Sequence, residues 1–134
     1  MGAWDATSFG NDHANDWAHD LIEQSTDLSY IDATLQKILD AGDDSIATSD
    51  GEEGIAAAEV VAWLRGRPTP VNAYTEKLAE WVTAHPIQPL AAITQKALAA
   101  LDRIERQPSS LPDLWDGDSD WAAAMTDLRN RLMN

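Results

Sequence analysis

The chain has 134 residues, a length typical of one globular domain with a single buried core. It contains 23 acidic and 9 basic residues, which gives a formal net charge of −14, and 44% of its residues are hydrophobic. This charge argues against nucleic acids and anionic membranes as partners, because Lys and Arg drive binding to both. Such a surface would attract a cationic protein, a peptide or a metal ion, and the alternative interpretation of the acidity is solubility or a saline setting. The absence of cysteine excludes disulfides, thiolate metal sites and cysteine nucleophiles.

The sequence also bears on where the protein resides. No basic segment followed by an apolar run stands at the N-terminus, and no run of about eighteen apolar residues occurs anywhere. Both observations predict a cytoplasmic protein with no contact with a membrane. The sequence contains no indication of an oligomeric state.

The first two predicted helices are amphipathic. The first begins at Asn11, a residue type that caps helices, and has apolar residues three or four positions apart as far as Ile22. The second has the same spacing over residues 28–39 and is predicted to stop at Gly42. An acidic loop over residues 42–51 should follow, with Ser49 or Asp50 capping the third helix and Glu52 and Glu53 near its positive end.

The third predicted helix, I-A-A-A-E-V-V-A-W-L over residues 55–64, is apolar on nearly every side. A helix of that kind belongs in the middle of a bundle. Its only charged residue is Glu59, which must be either half-exposed at a bundle edge or buried with a partner. The partners considered for a buried Glu59 are Arg65, Arg67, His85 and the tryptophan indoles. A structural role is favoured, because no second catalytic group has a spacing tied to it.

The remaining pattern completes the predicted fold class. A fourth helix is predicted from a cap near Asn72 to His85, and a fifth from Pro89 to Ile104. A short turn over residues 110–115 leads to a last helix with Trp121 and Leu132 inward. The sequence therefore predicts an all-α protein, a compact single-domain bundle of five to six helices with short loops over residues 1–134.

Residues 1–10 form an aromatic segment ahead of the first helix. Trp4 and Phe9 are large apolar side chains, and burial of each would contribute about 2 to 3 kcal/mol. We expect this segment to fold back and pack on the bundle, with Gly2 and Gly10 permitting a tight backbone.

The stretch F-G-N-D-H-A-N-D-W-A-H-D at residues 9–20 has two possible interpretations. On a helix, one face would hold the side chains of a candidate divalent-metal site, which are Asp12, Asp16, His19 and Asp20. In the structural interpretation, Asn11 caps the helix, Asp12 lies at its positive end and Trp17 faces the core. His13 and His19 then lie toward solvent. The structural interpretation is favoured.

A second acidic pattern, D-x-D-x-D, is formed by Asp116, Asp118 and Asp120. It imitates a calcium-binding loop, but Trp121 stands where such a loop needs glycine. Helix capping and solvated charge are the favoured interpretation.

Three motifs resemble the family called domain of unknown function 4259, which consists of uncharacterised small bacterial proteins. They are M-G-A-W at residues 1–4, F-x-N-D-x-A-x-D-W at residues 9–17 and A-A-A-E-V-V-A at residues 56–62. Asp5 departs from the small residue usual there, and His13 and His19 stand at variable positions. The resemblance implies a structural role for the motif residues Trp4, Phe9, Asn11, Asp12, Asp16, Trp17 and Glu59. It implies no activity.

Two functional hypotheses follow. The first is a non-catalytic protein–protein interaction or regulatory module, comparable to inhibitor and immunity proteins, that binds a basic partner. The alternative is a divalent-metal-dependent enzyme that uses the helix over residues 12–20 together with Glu59. The first is favoured because the sequence contains no paired catalytic groups, so no catalytic residue and no cofactor is predicted.

Overall fold

A computed structural model describes residues 7–69, 75–85, 87, 91–116 and 118–133. Within these ranges the regular elements are helices, and two loops form an isolated parallel bridge between Ile46 and Ser109. None of the described helices combines the length and apolar composition of a membrane-spanning segment. The helices are α1 (Asp12–Gln24), α2 (Ser29–Asp40), α3 (Thr48–Leu64), α4 (Glu76–Ala84), α5 (Ala91–Glu105), α6 (Ser110–Leu114) and α7 (Ser119–Met133).

The predicted all-α class is confirmed, but the described residues hold seven helices where five to six were expected. The additional element is α6, which lies where a short turn was predicted. Leu111 is fully buried and anchors this single turn to the core. Pro112 is the third residue of α6, where a backbone N–H would have no intrahelical acceptor, so the proline does not break the helix.

Helix α3 is the centre of the bundle, as its apolar composition predicted. It packs against each of the other six described helices, and every residue from Gly54 to Trp63 is buried. The predicted start of this helix was wrong, because α3 begins at Thr48 after Ala47, and neither Ser49 nor Asp50 caps it. Asp50 instead forms an ion pair with Lys37, with 3.0 Å between Oδ1 and Nζ.

Two glycines in the first half of α3 lie very close to side chains of neighbouring elements. A Cβ atom at Gly51 would lie 2.7 Å from Leu111 Cδ1, and one at Gly54 would lie 2.9 Å from Ile38 Cγ1. Both positions therefore let α3 approach its neighbours more closely than any side chain would permit. Tertiary packing outweighs the low helix propensity of glycine here.

The tight contact at Gly54 gives a testable expectation. We expect Gly54→Ala to lower the free energy of unfolding by about 1 to 3 kcal/mol, because overpacking a filled core forces its neighbours to shift. The substitution raises intrinsic helix propensity by up to about 1 kcal/mol, so packing and propensity act in opposite directions. Urea denaturation followed by tryptophan fluorescence measures the difference. Unchanged or increased stability would show that α3 is not closely packed at this position.

The N-terminal half of the bundle matches the sequence pattern closely. Asn11 caps α1, since its Oδ1 accepts a hydrogen bond of 2.7 Å from the Ala14 N–H. Trp17 is buried, stacks on Tyr30 at 5.4 Å between ring centroids, and donates its indole N–H to Thr34 Oγ1 at 2.8 Å. Gly42 has φ +57° and follows α2 at the predicted stop. The predicted cap of α1 and stop of α2 are therefore confirmed.

The fourth and fifth helices are described in part. Helix α4 follows Thr75, whereas the predicted cap Asn72 lies outside the described residues, as do Pro89 and Leu90. The helix ends before His85, as predicted. Trp81 in α4 donates its indole N–H to the Ser25 carbonyl at 3.0 Å, which fixes α4 against the end of α1.

Arg103 joins two loops from inside the protein. Its side chain is buried, and its Nε donates to the Gly42 carbonyl at 2.9 Å, while Nη2 donates to the Asp44 carbonyl. Its Nη1 donates to the carbonyls of Arg106 and Pro108, at 3.0 and 3.1 Å. This single guanidinium therefore satisfies backbone acceptors in the α2–α3 loop and in the α5–α6 loop. No sequence pattern predicted this role of Arg103.

Candidate functional site

Residues 7–11, α3 and α7 meet around two adjoining cavities. The larger has a volume of about 220 Å³ and is lined by Thr7, Ser8, Phe9, Glu59, Thr69, Ala124, Asp127 and Arg131. The smaller, of about 20 Å³, has room for roughly one water molecule and includes Glu52 in its lining. Thr7, Ser8 and Ala124 line both cavities. This junction concentrates the buried carboxylates of α3, so we treat it as the candidate site.

Glu59 is buried, with 1% of its surface exposed, and its carboxylate accepts four hydrogen bonds. Oε1 accepts from Ser8 Oγ at 2.8 Å and from Arg131 Nη2 at 2.9 Å. Oε2 accepts from the Trp63 indole at 3.1 Å and from Arg131 Nη1. Arg131 therefore binds the carboxylate in a bidentate manner, and the carboxylate has no free lone pair directed at the cavity.

Arg131 has 15% of its side chain exposed, and it also donates from Nε to Asp127 Oδ2 at 2.9 Å. Burial by itself would lower the pKa of Arg131, but the hydrogen bonds and negative charges of Glu59 and Asp127 outweigh it and raise the pKa. The guanidinium is therefore held in its charged form. The pair forms a neutralised, fully bonded link between α3 and α7.

One of the partners of Glu59 was predicted from the sequence. A tryptophan indole was among the expected donors, and Trp63 supplies it. Arg65 and His85 do not bind the carboxylate in the described structure, and Arg67 takes part through its backbone carbonyl, which accepts from Arg131 at 3.0 Å. Arg131 was missed because it lies 72 positions away, and no local spacing connects it to Glu59.

A second buried carboxylate, Glu52, has 5% of its side chain exposed and lies 2.7 Å from His13 Nδ1. Because α3 begins at Thr48, Glu52 lies further from the first residue of the helix than predicted. His13 was expected to lie toward solvent, and 46% of its side chain is exposed, but its ring binds Glu52. The signal for this site was the seven-residue separation of Glu52 and Glu59, which places both on one face of a helix.

Phe9 is buried and contacts Trp63 edge to face, with 6.2 Å between ring centroids. The Asn15 side-chain amide donates to the Phe9 and Asn11 carbonyls, each at 2.8 Å, and fixes the backbone ahead of α1. Trp4 lies outside the described residues. The packing of the whole segment 1–10 on the bundle stays a prediction.

The candidate metal residues lie on the outer side of α1. Asp12, Asp16 and His19 are exposed and Asp20 is half-exposed, while His19 Nε2 lies 3.3 Å from Glu23 Oε1. The described residues hold no group of three or more His, Cys, Asp or Glu side chains arranged to bind a metal ion. Glu59, the other residue of the metal hypothesis, is saturated by its own partners.

The D-x-D-x-D pattern caps a helix, as favoured. Asp118 Oδ1 accepts from the backbone N–H groups of Asp120 and Trp121, at 2.8 and 3.0 Å. Asp118 thus satisfies free amides at the start of α7. Asp116 is exposed.

Comparison with protein-family models gives one match, described as Domain of unknown function (DUF4259), over residues 2–127. The chain belongs to this family. The match confirms the resemblance inferred from the motifs. In this DUF4259 chain the matched range contains Ser8, Glu59 and Trp63 but ends before Arg131, the cation that neutralises the site. No curated protein and no solved structure matches the chain significantly.

Proposed function

We propose that this DUF4259 chain is a non-catalytic interaction module that binds a basic protein through the outer face of α1. This face, called the α1 acidic face, consists of Asp12, Asp16, Asp20 and Glu23. The opposite side of α1 is buried and includes Trp17. The observation that carries the proposal is that Asp12, Asp16 and Asp20 have no ion-pair partner among the described residues.

The local sequence supports an uncompensated negative field at this face. No Lys or Arg precedes Lys37 in the chain. Burial raises the pKa of Tyr30, and the charges of Asp20 and Glu53 raise it further. The pKa of Glu53 is also raised, first by burial, with Lys37 opposing the shift and Asp50 adding to it. The charge of Asp20 on α1 therefore acts on Tyr30 of α2 and on Glu53 of α3, while Lys37 partly offsets the negative charge around Glu53.

Tyr30 adds an aromatic group at the edge of this face. It is half-buried, and its ring stacks on Trp17, which holds it in place. Tyrosine is common among the residues that dominate binding energy at interfaces. A rigid aromatic beside several unpaired carboxylates suits a partner that presents Lys or Arg together with apolar surface.

The interior carboxylates support the non-catalytic part of the proposal. A general base needs a lone pair within reach of a substrate proton. Glu59 uses its lone pairs on Ser8, Trp63 and Arg131, and Glu52 is engaged by His13. These contacts are those of groups that stabilise a fold.

The proposal is tested by capture of partners from a native lysate of the source organism at low and high salt. Three proteins are compared: the wild type, a variant that neutralises the α1 acidic face, and a matched control. The first variant is Asp12→Asn, Asp16→Asn, Asp20→Asn and Glu23→Gln. The control removes the same charge at exposed positions elsewhere: Asp43→Asn, Asp44→Asn, Glu80→Gln and Asp116→Asn.

We expect one basic protein to be retained at low salt by the wild type and the control, and to be released by high salt. The α1 variant should associate with it about tenfold more slowly, since charge mainly sets the association rate. Circular dichroism verifies that all three proteins are folded. Retention of no partner at low salt, or equal retention by the α1 variant, would contradict the proposal.

A further inference from the structure

A third cavity lies between the end of α3, α5 and the end of α7, and none of its lining residues belongs to α1. We call it the α5–α7 groove; its lining extends along α5 from Ala91 to Asp102, and its volume is about 570 Å³. This is within the range of about 300 to 1,000 Å³ that is usual for small-molecule sites. Its lining combines apolar side chains with arginines and a glutamine.

Arg65 is the unusual group in this groove. It follows the last residue of α3, it is half-buried, and its Nε is buried without a hydrogen-bond partner. Among the described residues, no carboxylate pairs with its guanidinium. A buried donor left without a partner costs free energy, and such groups are usually satisfied by an ion, a water or a ligand.

One charged residue of the groove lies outside its ion pairs. The charged lining residues are Arg65, Arg129 and Asp102, and Arg129 pairs with Asp102 and with Glu105, each at 2.8 Å. Arg65 is therefore the charged lining residue without an ion-pair partner among the described residues, in a protein whose net charge is −14. By contrast, two carboxylates and one arginine line the cavity at Glu59.

The remaining walls suit an apolar tail with a polar head. Leu98, Leu132 and Met133 line the groove, and Met133 is 67% exposed. Methionine is a flexible side chain that adapts to irregular apolar ligands. Gln95 also lines the groove, and its side-chain amide makes no hydrogen bond within the described residues. It provides a second donor beside Arg65.

We propose that the α5–α7 groove binds a small amphipathic carboxylate, with its carboxylate on Arg65 and its aliphatic or aromatic tail against Leu98, Leu132 and Met133. Guanidinium groups bind carboxylates through two parallel hydrogen bonds, and the two terminal nitrogens of Arg65 are not among the buried unpartnered atoms, unlike its Nε. The site is separate from the α1 acidic face, so its test does not depend on whether that face binds a partner.

Titration of the protein with hexanoate, followed by proton–nitrogen NMR spectra, tests this site. We expect saturable shifts confined to the end of α3, to α5 from Ala91 to Asp102 and to the end of α7, with a Kd in about the millimolar range. Hexanol has the same tail without the charge, and acetate has the charge without the tail. Each should bind about tenfold or more weakly.

Two variants locate the contacts. Arg65→Gln removes the proposed anchor. Met133→Glu places a negative charge, which repels the ligand carboxylate, at a position that is 67% exposed and where a substitution should leave the fold intact. Each should weaken hexanoate binding about tenfold or more. Arg106→Gln is the matched control, because Arg106 is exposed, lies outside the groove, and should leave binding unchanged.

The proposal is overturned if hexanol binds as tightly as hexanoate, if the shifts fall outside the three helix segments, or if no saturation occurs. It is also overturned if Met133→Glu and Arg65→Gln both bind hexanoate like the wild type. Should Arg65→Gln fail to fold, the result with Met133→Glu decides the question.

Discussion

Arg131→Met should lower the free energy of unfolding by about 3 to 5 kcal/mol, because it leaves the Glu59 carboxylate buried without its counter-charge. The wild-type carboxylate accepts two hydrogen bonds from Arg131, and the Ser8 hydroxyl and the Trp63 indole cannot replace a positive charge. Urea denaturation at neutral pH, followed by tryptophan fluorescence, gives the free energy for each protein.

A double variant separates the loss of a charge partner from the loss of side-chain packing. Glu59→Met combined with Arg131→Met should be more stable than Arg131→Met alone by about 2 kcal/mol, because no buried charge is left without its counter-charge. It should stay below the wild type, since the Ser8 hydroxyl and the Trp63 indole lose their acceptor. As a control, Lys37→Met removes the more exposed pair with Asp50 and should cost about 1 kcal/mol or less. A double variant as unstable as Arg131→Met alone would refute this explanation.

The second large effect is expected at Arg103. Arg103→Met should lower the free energy of unfolding by about 3 to 5 kcal/mol, because backbone carbonyls in two loops lose their donor together. The affected acceptors are those of Gly42, Asp44, Arg106 and Pro108. Thermal and urea denaturation measure the loss, and hydrogen exchange should show faster opening of both loops.

Substitution of a neighbouring arginine provides the control for Arg103. Arg106→Met removes an exposed side chain and should change stability by no more than about 0.5 kcal/mol. Arg103→Lys keeps the charge but cannot reach acceptors in both loops with one ammonium group, so its loss should be intermediate. Equal stabilities for Arg103→Met and Arg106→Met would show that the two loops do not depend on this guanidinium.

The sequence was sufficient to predict the features that depend on local chemistry. Apolar residues three or four positions apart define α1 and α2, and the apolar run around Glu59 identified α3 as the central helix. The cap at Asn11 and the stop at Gly42 follow from the preferences of single residue types. Each of these predictions needed only residues within a few positions of one another.

The features that were missed depend on distant packing. The loop was predicted to extend to Gly51, whereas in the structure this glycine lies in α3, close to the Leu111 side chain. The same holds for the partner of Glu59, since Arg131 meets it only after α7 has docked on α3.

Arg103 is the clearest example of a contact that no sequence pattern indicated. Its acceptors are backbone carbonyls of two loops, and a backbone carbonyl has no signature in an amino-acid sequence. By contrast, the seven-residue separation of Glu52 and Glu59 was visible in the sequence. Two acidic residues on one face of an otherwise apolar helix indicate that each carboxylate is buried beside a hydrogen-bonding or charged partner.

The central claim is that the buried Glu59–Arg131 pair has a structural role only, while the carboxylates of the α1 acidic face bind the partner. The most direct test is the association rate constant of the captured basic protein with three proteins: the wild type, the Glu59→Met/Arg131→Met double variant and the α1 variant. We predict that the double variant matches the wild type within about twofold, and that the α1 variant is about tenfold slower. A folded double variant that no longer binds, beside an α1 variant that binds normally, would contradict the account.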